Sequence, residues 1–434
     1  MSEFHPVITL PVDASRALVY EEGWQSWSPS TCYPLTVPPF RPAAQNQQRL
    51  GYRADDPAPA GGFCGEGLLA VYDGQDTHVF ATSRLDRAPQ IHARPSVVTG
   101  GPSTTIEIAA SGTVDHTVHT GVEPQEALAA WADGQRNDGS RPNPTVWCSW
   151  YQYFADVTEA DILENLDAIG AHDLPVDVVQ IDDGYQVEIG DWLIPSGRFD
   201  SVPGIADRIR AAGRRAGIWV APFLVGARSA LAAEHPEWLV PNITAGRNWE
   251  QDLFVLDSTH PGAAAYLTEV FNSFADMGFD YFKIDFIYAG ALRGRRHADL
   301  HEIEAYRAGL EIIRQAIGPD SYLVGCGAPT MATRGLVDAL RVSPDTAPEI
   351  EPVNGWMNEP AQRSAIMTGR GRHWQNRRLW AADPDCFLAR PAVEDRERWV
   401  EHCLEYGGLR TCSDRIADLD DWGLEMTRRY LEGN

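Results

Sequence analysis

Residues 279–286 read FDYFKIDF, an apolar run carrying Lys283 and Asp285 two positions apart. Side chains of a strand alternate between its faces, so these two share one face about 7 Å apart along it, while Ile284 points the other way. A strand with charge on one side and an apolar residue on the other has a polar site in front of it and a packed layer behind. Seven more apolar runs recur along the chain, bounded by Gly, Pro and Asp: TVWCSWY from Thr145, VDVVQIDD from Val176, AGIWVAPF from Ala216, SYLVGCG from Ser321, ALRVSPD from Ala339, RLWAADPD from Arg378 and GLRTC from Gly408. Amphipathic stretches lie between them, at Ala160–Ile169, Val202–Arg215, Ala263–Met277 and Leu300–Ile317. Eight near-continuous apolar strands alternating with helices predict an α/β fold, a closed parallel (β/α)8 TIM barrel. A doubly wound open sheet is the structural alternative, but no glycine-rich phosphate loop follows the first strand.

Working outward, residues 145–434 are assigned to the barrel. Residues 1–122 carry short apolar runs (Ala17–Tyr20, Leu68–Tyr72, Thr77–Ala81, Thr105–Ala109) separated by Gly, Pro, Asp and Ser, and predict a small N-terminal β-sandwich. Residues 123–144 join the two, as a helix over Pro124–Gly134 followed by the polar linker QRNDGSRPNP.

The whole composition is that of a globular protein, 44% hydrophobic and 22% charged. A net charge of −25 argues against nucleic acid or an anionic membrane surface as partner and is compatible with a neutral substrate. No run is long enough to span a bilayer, and the N-terminus lacks the basic start and apolar core of a secretory signal. Seven cysteines, several inside apolar runs, fit reduced thiols in the cytoplasm. Whether copies form a homo-oligomer the sequence leaves open.

Catalytic residues of such barrels sit at the C-terminal strand ends. Here those ends bear Trp150 and Tyr151, Asp182 and Asp183, Trp219, Lys283 and Asp285, Cys326, Arg341 and Asp345, then Asp383 and Asp385. A single aspartate ending a strand is usually a helix cap. Carboxylates ending four strands on one face repel one another unless donors, cations or a substrate require them. Lys283 is the only lysine among 36 basic residues, so its survival points to a tight pocket where a compact ammonium fits and a planar guanidinium does not. Two carboxylates with aromatic rings and hydroxyl-binding groups are the equipment of glycoside hydrolysis. No histidine lies near these strand ends and no phosphate cradle is visible, so neither a metal nor a cofactor is expected.

At these residues the chain resembles glycoside hydrolase family 36 of clan D. YFKIDF is similar to the family's nucleophile motif (K-x-D) and RVSPDT to its acid/base motif (R-x-x-x-D). The resemblance runs on through VWCSWYQYF, VVQIDDGYQ, GDWL, GIWVAPF, RNW, VGCGAP and WAADPDC, and through GWQSWS near the N-terminus. It implies an α-galactosidase that retains anomeric configuration, with Asp285 as nucleophile and Asp345 as acid/base. It implies further that Asp182 and Asp183 bind the C4 and C6 hydroxyls of an α-galactoside, and that Lys283 and Arg341 bind hydroxyls near the reacting carbon. Trp150, Tyr151, Trp219 and Cys326 would wall the sugar subsite, and Trp27 would reach over its mouth from the N-terminal domain. About 20 residues follow the eighth strand, so the C-terminal β domain common in the family is expected to be absent, and the N-terminal domain shorter than usual. WAADPDC has Ala382 where the family often has Asn. An α-N-acetylgalactosaminidase or a transglycosylase of the same family, or a silent sugar-binding protein, are the competing expectations.

Overall fold

A computed structural model describes residues 3–42, 52–53, 57–97, 104–135 and 141–433. Eight parallel strands form the barrel: Thr145–Cys148, Val178–Ile181, Arg215–Val220, Phe279–Ile284, Tyr322–Gly325, Ala339–Arg341, Ala381–Asp383 and Arg410–Cys412, called strands one to eight below. Ladders run from strand eight through strand one and on in sequence order to strand seven. The remaining seam closes through backbone bonds: Leu409 N donates to Ala382 O at 2.9 Å, and Phe387 N to Thr411 O at 2.7 Å. The expected barrel is present, with each of the eight quoted runs supplying one strand.

Period-two alternation places the site directly above the barrel's apolar plug. Val146, Val178, Tyr281, Tyr322, Val324, Ala339, Ala381 and Leu409 make one buried cluster inside the strands. The rings of Tyr281 and Tyr322 stack there with centroids 5.7 Å apart. Gly217 on strand three makes room for them, since a Cβ at that position would lie 2.9 Å from the Tyr281 ring. Two residues further along the same faces come Cys148, Gln180, Trp219, Lys283, Arg341 and Asp383, and beyond those Asp182, Asp285 and Asp385. The polar ring is thus the next layer of the same inward register.

Outside the strands the helices run over Glu159–Ala171, Val202–Ala211, Pro261–Asp276 and Glu302–Ile317, matching the amphipathic stretches to within a few residues. Their apolar stripes pack on the outward faces, as Phe271 does on Phe282 with ring centroids 5.8 Å apart. An antiparallel three-stranded sheet of Leu224–Gly226, Leu239–Asn248 and Gln251–Leu256 rises between strands three and four. The sequence pattern does not announce it.

Before the barrel, a four-stranded and a five-stranded antiparallel sheet face each other across a core that includes Leu10, Val19, Phe63, Val71, Phe80, Ile91 and Ile108. The outer face of the five-stranded sheet packs, through Tyr20, Leu68 and Val79, on the helix Pro124–Asp133 and on Met331 and Trp374 of the barrel. Of the polar linker that follows, residues 136–140 lie outside the described residues. The approach of sheet to barrel is close enough that a Cβ on Gly371 would sit 1.8 Å from Ser30 O. Among the described residues, no helix is long and apolar enough to cross a membrane.

Candidate active site

A cavity of about 390 Å³ opens at the C-terminal ends of the strands, lined by Trp150, Asp182, Asp183, Trp219, Lys283, Asp285 and Asp345 from the barrel and by Trp27 from the N-terminal domain. Strands two and four supply its most buried pair. Lys283 Nζ lies 2.9 Å from Asp182 Oδ2, with only 7% and 2% of the two side chains exposed. Gln180 Nε2, on the same strand as Asp182, donates to that oxygen at 2.6 Å. Burial works against a charged lysine, but the Asp182 carboxylate outweighs it and holds Lys283 well above its ordinary pKa. The ammonium is therefore charged and paired, and its hydrogen bond goes to Asp182 rather than to Asp285 on its own strand.

Asp285 draws its donors elsewhere. Trp219 Nε1 donates to its Oδ2 at 3.2 Å and the Phe286 amide to its Oδ1 at 2.6 Å. Donors on both oxygens suit the carboxylate, which only accepts.

Asp183 is met by the inserted hairpin. Trp249, at the hairpin tip, donates its indole N–H to Asp183 Oδ2 at 2.8 Å, and Gln186 Nε2 donates to Oδ1 at 2.5 Å. Burial pushes the Asp183 carboxyl up to about 6, the two donors opposing it and the neighbouring Asp182 adding to it.

Across the cavity, Arg341 is shared by three aspartates. Its Nε lies 3.0 Å from Asp383 Oδ2, and its two terminal nitrogens 3.2 Å from Asp345 Oδ1 and 2.8 Å from Asp385 Oδ1. Asp385 accepts also from the Tyr151 hydroxyl and, at 2.7 Å, from the Thr346 amide. Asp345 is the more open member, its side chain 22% exposed. Burial, then repulsion from Asp385, lift its carboxyl to about 7, the Arg341 guanidinium opposing them. Trp27 Nε1 reaches Asp345 Oδ1 at 3.2 Å, so the second indole of GWQSWS belongs to the cavity and not to the sandwich core.

Three of the residues expected to touch a sugar stand behind the lining. Tyr151 and Arg341 bond to the carboxylates just named, and Cys326 is buried beside Asp285 and Arg341. Conversely, Trp249, Phe286, Phe154 and Asn358 line the cavity without having been singled out. Three of these four, and Asp385, hold positive φ: Phe154 at 48°, Trp249 at 47°, Phe286 at 51° and Asp385 at 84°. Such conformations cost about 1–3 kcal/mol each and gather where a site dictates them. RNW was the only sequence signal for Trp249, and it carried no role by itself. Among the described residues, no group of three or more His, Cys, Asp or Glu is placed to hold a metal ion.

The Melibiase family model matches residues 134–310. A solved structure, TtGalA, an α-galactosidase from Thermus thermophilus in complex with stachyose, superposes with a TM-score of 0.81 over 99% of this chain and 96% of its own at 27% identity. Among curated proteins, α-galactosidase AgaA of Geobacillus stearothermophilus is 27% identical over 154 residues, 33% of this chain and 21% of AgaA. The chain is thus similar to the Melibiase family over residues 134–310 and to these α-galactosidases. A myogenesis-regulating glycosidase of Mus musculus is also similar, 29% identical over 126 residues, 27% of this chain and 17% of that protein. The sequence matches thus span about a fifth of the length of these curated relatives. The α-galactosidase from Lactobacillus brevis, at 13% identity and a TM-score of 0.63 over 61% of its length, shares the fold.

Proposed function

We propose that this chain hydrolyses terminal α-linked galactose by a retaining double displacement, with Asp285 as nucleophile and Asp345 as acid/base. The observation that carries the reading is the contrast between the two carboxyls. Asp285 is met by a donor on each oxygen, as an attacking carboxylate requires. Asp345 faces the same cavity with its proton held up to about 7, as a donor to a leaving oxygen requires.

In the first step an Asp285 oxygen bonds to the anomeric carbon as the Asp345 proton passes to the departing glycosidic oxygen. In the second, ionised Asp345 takes a proton from water, whose oxygen replaces Asp285 on the same carbon. Asp182 and Lys283, locked together, and Asp183, held by Trp249, offer acceptors and a donor for sugar hydroxyls. The indole rings of Trp150 and Trp219 suit the apolar face of the ring, and Trp27 closes the mouth.

Turnover of p-nitrophenyl α-galactoside is the test. We expect hydrolysis by the wild type and almost none by Asp285→Ala. Galactose binding without turnover by the wild type would make the protein a sugar-binding relative instead.

A further inference from the structure

Arg372 ends the helix Gln362–Arg372 and lines no part of the cavity, yet it is wholly buried together with Glu22. Its five N–H groups meet five acceptors. Nε donates to Glu22 Oε1 at 2.8 Å, and one terminal nitrogen donates to Ser26 O at 3.2 Å and Val342 O at 3.1 Å. The other donates to Gly23 O at 3.4 Å and Gln25 O at 3.0 Å. The second oxygen of Glu22 is taken by the Tyr20 hydroxyl at 2.7 Å and Gln375 Nε2 at 2.8 Å.

Three of the five acceptors belong to the turn that carries Trp27. A fourth, Val342, lies three residues before Asp345. One guanidinium therefore fixes to each other the two segments that end in the Trp27 indole and the Asp345 carboxyl. A buried ion pair is poor evidence for stabilisation as such, because desolvation offsets its attraction. Geometry between two segments is what this one supplies.

At Asp345 the consequence is asymmetric. Trp27 Nε1 and an Arg341 terminal nitrogen both donate to Oδ1, each at 3.2 Å, while Oδ2 accepts from no described residue. A proton on Oδ1 would face two donors, so the acid form carries it on Oδ2.

We propose that Arg372, anchored by Glu22, is a positioning residue for the reaction: it seats the Trp27 indole on Asp345 so that the transferable proton rides on Oδ2. This rests on the reading of Asp345 as acid/base. Removing the indole donor should make the proton harder to release, because a donor to a carboxylate favours the ionised form. A misplaced acid penalises leaving groups that need protonation and spares those that do not.

The test compares kcat/KM for p-nitrophenyl and methyl α-galactoside across pH in the wild type, Trp27→Phe, Arg372→Lys and the double variant. Phenylalanine keeps the edge-on ring contact with Phe286, 5.2 Å between centroids, and lacks only the N–H. Lysine keeps the charge beside Glu22 but cannot span four carbonyls. Each single variant should lose about tenfold or more on the methyl galactoside and less than about threefold on the nitrophenyl one. In Trp27→Phe the alkaline limb should move up by about 0.5–1 pH unit. The double variant should discriminate no further than Arg372→Lys alone, since both act through one contact. Equal losses on both substrates, or an unmoved limb in Trp27→Phe, would overturn the proposal. Trp27→Phe decides alone if Arg372→Lys fails to fold. A wild type that turns over neither galactoside would sink the galactosidase reading itself, and the positioning role with it.

Discussion

Lys283→Arg is the sharpest probe of the site, because charge is conserved and only shape changes. The ammonium sits 2.9 Å from Asp182 Oδ2 with 7% of its side chain exposed, and Lys283 is in register with Trp219 and Val324 on the flanking strands. A guanidinium is longer and planar, so in that space it must push Asp182 aside or rise into the cavity. Overpacking of this kind costs about 1–3 kcal/mol, which a domain of ordinary stability survives. Displacing a substrate-binding group by about 1 Å, by contrast, can cost about 10²-fold in rate. We therefore predict a folded protein whose kcat/KM on p-nitrophenyl α-galactoside falls about 10²-fold or more, with thermal unfolding measured on the same preparation. Lys283→Met serves as comparator: it leaves Asp182 buried without its cation and should also lose about 3–5 kcal/mol of stability. Wild-type turnover by the Lys283→Arg variant would refute the claim that the lone lysine was selected for its size.

Three further outcomes follow from the same geometry. With the Asp345 carboxyl raised to about 7 by burial, its acid form is needed in the first step, so kcat/KM for a poor leaving group should fall as pH rises through about 7; Asp345→Ala should abolish that limb and slow unactivated galactosides by about 10²–10⁴ while sparing the nitrophenyl substrate. Because the unfolded carboxyl titrates near 3.8 and the folded one near 7, the native state binds the extra proton between them and wild-type stability declines over that window. Asp345→Asn should make this decline smaller by removing the Asp345 share and leaving that of Asp183, which urea unfolding at about pH 5 and about pH 8 will measure. Gly371→Ala places a Cβ 1.8 Å from Ser30 O and should lower the thermal midpoint clearly, by separating the N-terminal sheet from the barrel.

The barrel was legible because eight short apolar runs recur between turn residues and amphipathic stretches, a pattern that needs only nearest neighbours in sequence. Lys283 and Asp285 could be placed on one face from period two alone. What could not be read was pairing between distant groups: that Lys283 bonds Asp182, 101 residues away, or that Arg341 gathers Asp383 and Asp385 as well as Asp345. The hairpin bearing Trp249 escaped because its turn uses Trp249 and Glu250 at positive φ, where a glycine or asparagine would have announced it. The N-terminal domain's strand His5–Val12 escaped for another reason: most of its residues are exposed on the sheet, so alternation barely shows.

On the proposed route Asp285 attacks the sugar directly and configuration is retained. Proton NMR of the first galactose released from p-nitrophenyl α-galactoside tests it, read before mutarotation scrambles the anomers. The α anomer should appear first and the β anomer only as mutarotation proceeds. Initial release of β-galactose would mean a single displacement by water and would contradict the assignment of Asp285 as nucleophile.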